Sequence, residues 1–168
     1  MFRLSHIVLA VIFVLCVALT GCNSTPAVAK NGDTIQVDYT GKLADGQVFD
    51  SSIGRAPLEF TLGQSQVIPG FEKAVLGMKV GEKKTVTIPA DEAYGPYHDD
   101  WVIQLSRDRI KTDTEITVGQ VLNLTGADGQ QFQFLVTNIS DNGTVTLDAN
   151  RPLAGKDLTF DIQLVKIK

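Results

Sequence analysis

The chain has 168 residues, 43% hydrophobic and 20% charged, which suits one domain or two small ones and excludes a disordered polymer. Its formal net charge is −4 with no basic run or stripe, so nucleic-acid binding has no electrostatic footprint. Both cysteines, Cys16 and Cys22, fall at the start of the chain, so the body that follows can hold neither a disulfide nor a thiolate metal site.

Met1–His6 carries one firm positive charge, Arg3, and Ile7–Leu19 is an unbroken apolar run of 13 residues. A membrane-spanning helix needs about 20 apolar residues, so this run has the length of a signal-peptide core. It closes on LTGC, Leu19–Cys22, which resembles the lipobox of bacterial lipoproteins. The resemblance implies that residues 1–21 are a cleaved signal, with Cys22 carrying a thioether lipid and an acylated amine. Several acyl chains anchor stably, because each buried methylene contributes about 0.8 kcal/mol. An ordinary cleaved signal and an uncleaved short anchor stay open as alternatives. Asn23, next to the cysteine, implies an outer-membrane destination if the cell is diderm. Residues 22–30 then form the lipidated cysteine and a linker, at ~3.5 Å per residue a short tether.

From Asn31 the pattern turns to β. In DTIQVDYTGKL, Ile35, Val37 and Tyr39 alternate with Gln36, Asp38 and Thr40, as in a half-buried strand. Asp45-Gly46 signals a tight turn, after which QVFDSS returns as a strand. APLEFTLG places Leu58, Phe60 and Leu62 on one face. Pro69 restricts Ile68 to an extended backbone and opens a short helix. Phe71, Val75 and Leu76 give this helix its apolar face, and Gly77 closes it in a left-handed cap. Lys84–Pro89 is a further strand, with Val86 and Ile88 facing one way.

The stretch PYHDDWVIQLSRDRIKTDTE has no strong period and reads as a loop with some local structure. GQVLNLTG, QQFQFLVTNIS and TVTLDA follow as a three-stranded meander. DLTFDIQLVKIK ends the chain as a strand with Leu158, Phe160, Ile162 and Leu164 on one face. About eight strands and one short helix make the chain α+β and mostly β. A twenty-residue stretch without clear structure is uncommon inside a compact domain and marks an insertion joint.

Several residues admit more than one reading at this level. Asp50 could cap a turn with Ser51 and Ser52, and the aromatic residues could be ordinary core. Lys79, Lys83 and Lys84 read as a solvated face. Trp101-Val102-Ile103 could pack within the second half or stay exposed.

The blocks VDYTGKLADGQVFDSS, VIPGFEKAVLGMKVGEKKTVTIPADEAYG and LTFDIQLVKI resemble, in order and spacing, the FKBP-type peptidyl-prolyl cis-trans isomerases. The resemblance implies a bent antiparallel sheet around one short helix, formed by residues 31–96 and 148–168. About 50 residues separate AYG from the last block, and RPLAGKDLTF closes them. This arrangement is similar to the SlyD subgroup, in which an insert-in-flap β-domain, here residues 97–147, binds unfolded chains. His6 and His98 are the only histidines, so the nickel-binding tail of many SlyD proteins has no counterpart.

The implied activity is acceleration of X-Pro isomerisation in unfolded or exported chains, with no cofactor and no metal. Rotation about an amide has a barrier of ~18–20 kcal/mol and changes no covalent bond. The planar amide is more dipolar than the twisted one, so an apolar, preorganised pocket suits the reaction better than paired acids. The resemblance implies Tyr39, Phe49, Asp50, Ile68, Tyr94 and Phe160 as the catalytic set, and Leu58, Phe60, Val67 and Phe71 as substrate-binding residues. Within it, Phe71 lies under the proline, Ile68 N–H holds the bound chain, Tyr94 bonds a substrate carbonyl and Asp50 pins Tyr39. The expected partners are proline-containing clients and, through the lipid, a membrane; a monomer is expected. A binding-only chaperone or envelope scaffold without isomerase activity is the alternative.

Overall fold

The computed structural model describes residues 27–112, 114–126 and 129–168. The expected signal peptide, Cys22 and most of the linker lie outside the described residues. The elements are β1 (Thr34–Lys42), β2 (Val48–Ser51), β3 (Leu58–Thr61), α1 (Pro69–Val75), β4 (Lys83–Ile88), β5 (Val102–Ser106), β6 (Val121–Thr125), β7 (Gln131–Ile139), β8 (Thr144–Asp148) and β9 (Leu158–Ile167). They form two antiparallel sheets, one of five strands in the order β2-β1-β9-β4 with β3 also on β1, and one of four in the order β5-β8-β7-β6. The α+β, mostly β expectation is met.

β9 is the spine of the first sheet. Leu158, Phe160, Ile162 and Leu164 are all buried, as their strict alternation predicts. β1 runs along one edge of β9 from Ile35 to Lys42, and β4 runs along the other. The free edge of β1 is shared in succession, with Thr34–Val37 pairing β3 and Thr40–Lys42 pairing β2.

α1 covers the inner face of this sheet. Ile68 is its N-cap, with extended backbone, and Pro69 takes the first helical position, where a missing N–H leaves no bond unmade. Phe71, Ala74 and Val75 are buried, and Gly70 fits against Ile88. The expected apolar face needs a correction at Leu76. The chain leaves helical geometry there, with ψ 130°, and turns the side chain outward, 37% exposed. Met78 fills the core instead, beyond Gly77 with its φ of +80°.

The second sheet corrects another expectation. The meander β6-β7-β8 is present, but part of the stretch read as a loop is a fourth strand, β5, paired with β8 from Val102↔Asp148 to Ser106↔Thr144. Ile110, Ile116, Leu122, Val136, Val145 and Leu147 make a separate buried cluster. Trp101 is 46% exposed and stacks on His98 at 4.3 Å, and Ile103 is 36% exposed, so this apolar run is largely open to solvent.

Candidate active site

Where the inner face of the first sheet meets the start of α1, a cavity of about 460 Å³ opens to solvent. Of the ten residues expected there, nine line it: Tyr39, Phe49, Asp50, Leu58, Val67, Ile68, Phe71, Tyr94 and Phe160. Phe60 does not. It is 4% exposed and stands behind Phe71, at 6.0 Å between ring centroids, so it backs the floor and leaves the wall to others. Gln66, Pro69, Ala93 and Arg151 complete the lining and were missed by sequence reasoning. Gln66, Pro69 and Ala93 adjoin predicted residues, so neighbourhood alone could have found them. Arg151 arrives from the connection between β8 and β9, and no pattern in the sequence announces it.

Phe160 is the hub of the aromatic wall. Its ring meets Phe71 at 5.2 Å and Phe49 at 5.7 Å, both near-perpendicular, and Tyr39 at 6.2 Å. Edge-to-face contacts of this kind add about 0.5–1.5 kcal/mol each beyond burial and fix ring orientation. Gly41 makes this packing possible, because it lies in register with Phe160 on β9. A Cβ there would stand 2.6 Å from Phe49 Cζ and 2.9 Å from Phe160 Cε1.

Phe49 and Asp50 both line the cavity although neighbours on a regular strand point to opposite faces. The register explains it. Gly41 pairs Asp50 while Lys42 pairs Val48, so Phe49 is the extra residue of a β-bulge. A bulge re-aims side chains at a sheet edge, and here it turns a wall and a carboxylate toward one space.

Asp50 accepts three hydrogen bonds. Tyr39 Oη donates to its Oδ2, while the Ser51 N–H and Arg55 Nη2 each donate to Oδ1 at 2.8 Å. The Tyr39 hydrogen bond is the main cause holding the Asp50 carboxyl below its usual range, with Arg55 and Ser51 adding to it against partial burial. Burial, followed by the Asp50 carboxylate, pushes the Tyr39 hydroxyl up to about 12. Tyr39 is therefore a neutral donor and Asp50 an anion across the physiological range. Ser52, 3% exposed, fixes this end of β1: its Oγ accepts the Tyr39 N–H at 2.9 Å, and its N–H donates to Tyr39 O at 3.0 Å.

The remaining polar groups are few. Ile68 O accepts the N–H groups of Phe71 and Glu72, while the Ile68 N–H has no partner among the described residues. Tyr94 follows the short 3-10 turn Ala90–Glu92 and is 38% exposed. No group of three potential metal ligands occurs among the described residues.

A cavity with an aromatic floor, one isolated backbone donor and a charge-compensated carboxylate suits a peptide segment held for conformational rather than covalent change. Comparison with known proteins places the chain: residues 25–165 match the FKBP-type peptidyl-prolyl cis-trans isomerase family, and the chain belongs to it. It is 35% identical to the short-type peptidyl-prolyl cis-trans isomerase of Methanocaldococcus jannaschii over 150 residues, covering 80% of this chain and 91% of that protein. It is 32% identical to the FKBP-type peptidyl-prolyl cis-trans isomerase SlyD of Treponema pallidum over 138 residues, covering 82% of this chain and 77% of that protein. A 68-residue stretch is 57% identical to FK506-binding protein 2 of Yarrowia lipolytica, covering 40% of this chain and 47% of that protein. The chain is a prolyl isomerase with SlyD-like relatives.

Proposed function

We propose that this isomerase acts on unfolded or exported polypeptides at the cell envelope, tethered through a lipid on Cys22, with residues 97–147 serving as a client-holding insert. The observation that carries the reading is the pair of points from which the second sheet departs. The chain leaves from Tyr94 and returns at Arg151, both on the cavity lining, and Gly155 N–H donates to Gly95 O at 2.8 Å where the two passes meet. A client held on the second sheet is thus delivered beside the cavity, which raises the local concentration of its prolines.

That sheet is suited to holding apolar segments. Val118 is 62% exposed, Val121 55%, Phe132 44% and Leu135 40%, and Val121 and Leu135 are direct cross-strand neighbours. Phe132 lies on the opposite face of β7 from Leu135, so the sheet offers an exposed apolar pair on one face and an exposed ring on the other, and exposed apolar surface marks interaction sites.

At the cavity, Phe71 is the floor for the proline ring, with Phe49, Phe160 and Tyr39 as walls. The planar X-Pro amide has the larger dipole, so losing water there costs the planar state more than the twisted one. Each 1.36 kcal/mol of such differential stabilisation is about tenfold in rate. Ile68 N–H and the Tyr94 hydroxyl are the donors that hold the client backbone on either side of the rotating bond. Asp50 transfers no proton; it orients Tyr39 and sets the field beside the twisting carbonyl.

The test compares the full chain with a version in which residues 97–147 are replaced by a tight turn joining the two adjacent passes. Removal should slow catalysed refolding of a proline-limited protein far more than exchange in a short peptide. Equal effects on both would sink the coupling. For the anchor, acyl labelling should vanish in Cys22→Ala, and labelling that persists would overturn it. In a diderm host, Asn23 directs the product to the outer membrane.

A further inference from the structure

Among the described residues, only two charged side chains line the cavity, Asp50 and Arg151. The charge of Asp50 is met within the fold by Tyr39, the Ser51 amide and Arg55. The guanidinium of Arg151 has no hydrogen-bond or ion-pair partner among the described residues, yet its backbone is firmly placed. Arg151 O accepts the Ala154 N–H at 3.0 Å. The neighbouring Asn150 side chain bonds His98 N and O at 2.8 and 2.9 Å, and Asp148 Oδ1 at 2.8 Å. A fixed piece of backbone therefore presents an uncompensated cation to an aromatic-walled cavity.

We propose that Arg151 is a specificity residue that favours clients with an aspartate or glutamate adjacent to the proline. The inference rests on the isomerase reading of the cavity. Arginine offers five donors in a planar fork that matches a carboxylate two bonds at a time. Each residue of an extended client advances at most ~3.6 Å. With the proline on the Phe71 floor, the side chain before or after it therefore lies within reach of another residue on the same lining. Arg151 is exposed, so the contact is worth at most about fivefold, the equivalent of an open ion pair. A client lysine at the same place meets a like charge and is disfavoured by a comparable factor. Because the ion pair persists unchanged while the amide twists, it binds ground and transition states alike. The discrimination belongs in KM, with kcat nearly constant.

The experiment uses the full chain in detergent, as wild type, Arg151→Ala and Arg151→Glu. Peptides carry Glu, Leu or Lys on either side of one proline, and exchange is read by NMR at low and high salt. In the wild type the Glu:Lys ratio of kcat/KM should exceed unity on one side of the proline by at most about 25-fold, the product of the two factors, carried by KM and shrinking with salt. It should approach unity in Arg151→Ala and invert in Arg151→Glu. The same ratio in wild type and Arg151→Glu, or equal losses on all three peptides, would overturn the assignment. The Leu peptide separates the two readings: if the wild type does not accelerate it, the isomerase reading fails. The affinities of the Glu and Lys peptides, read from shifts in the same spectra, then still decide the role of Arg151.

Discussion

Gly41→Ala should damage the cavity without replacing any side chain that lines it. The added Cβ would lie 2.6 Å from Phe49 Cζ, 3.0 Å from Phe49 Cε2 and 2.9 Å from Phe160 Cε1. Carbon atoms in good contact sit at about 3.5–4.0 Å, so the rings must retreat by roughly 1 Å. Phe160 has little room, being 5% exposed and held by Phe71 on its far side. Phe49, half-buried at the sheet edge, gives way and swings toward solvent. Overpacking of this kind costs about 1–3 kcal/mol. A misplacement of ~1 Å at a reacting site can cost as much as 100-fold in rate. Calorimetry and a short-peptide exchange assay should therefore show a lowered Tm and a rate loss larger than the stability loss explains. Phe49→Ala removes the nearest clash, so Gly41→Ala should cost less stability in that background than alone. A wild-type rate in Gly41→Ala, or a cost undiminished by Phe49→Ala, would refute the steric reasoning.

Other expectations concern the polar pin and the helix. Asp50→Ala and Tyr39→Phe should each lower kcat/KM partially, and the double variant should lose less than the two combined, because one hydrogen bond joins them. In an NMR titration of labelled tyrosine, Tyr39 should ionise near 12, and in Asp50→Asn it should move down toward the ordinary value of 10 without reaching it, since burial is the larger cause. With its value raised on folding, the Tyr39 contribution to stability is complete below pH 10 and is lost as pH rises toward 12. Asp50 has the opposite sign: its contribution is present above its unfolded value and is lost as pH falls through the depressed one. Gly70→Ala would set a Cβ 2.3 Å from Ile88 Cγ2, both in the core, and should lower the Tm by separating α1 from β4; an unchanged Tm would contradict that packing.

The sequence made some of these features legible and hid others for physical reasons. β9 was readable because a strand with one face on the core must alternate, and the four alternating residues Leu158, Phe160, Ile162 and Leu164 are buried. α1 was readable from its punctuation, Pro69 and Gly77. Leu76 was misassigned because helical spacing says nothing about where the backbone leaves the helix. β5 was missed because it is an edge strand whose residues are only half-buried or exposed, so burial imposes no alternation on it. Nine of the ten expected site residues meet at one cavity, whereas Phe60 shares their alternation but faces the core behind them. The bulge that turns Phe49 and Asp50 together depends on pairing with β1, so no local pattern encodes it. Arg151 was invisible because an arginine in a connection reads as solvated until the chain on both sides of it is folded.

The central claim is that an aromatic cavity lowers the barrier to amide rotation while Asp50 only supports it. It is tested most directly by the cis/trans exchange rate of a Leu-Pro peptide in the presence of wild type, Phe160→Leu and Asp50→Ala. Phe160→Leu keeps most of the buried volume while removing the ring that joins Phe49, Phe71 and Tyr39. The account predicts strong acceleration by the wild type, the largest loss in Phe160→Leu and a partial loss in Asp50→Ala. Full activity in folded Phe160→Leu, together with abolition in Asp50→Ala, would contradict it.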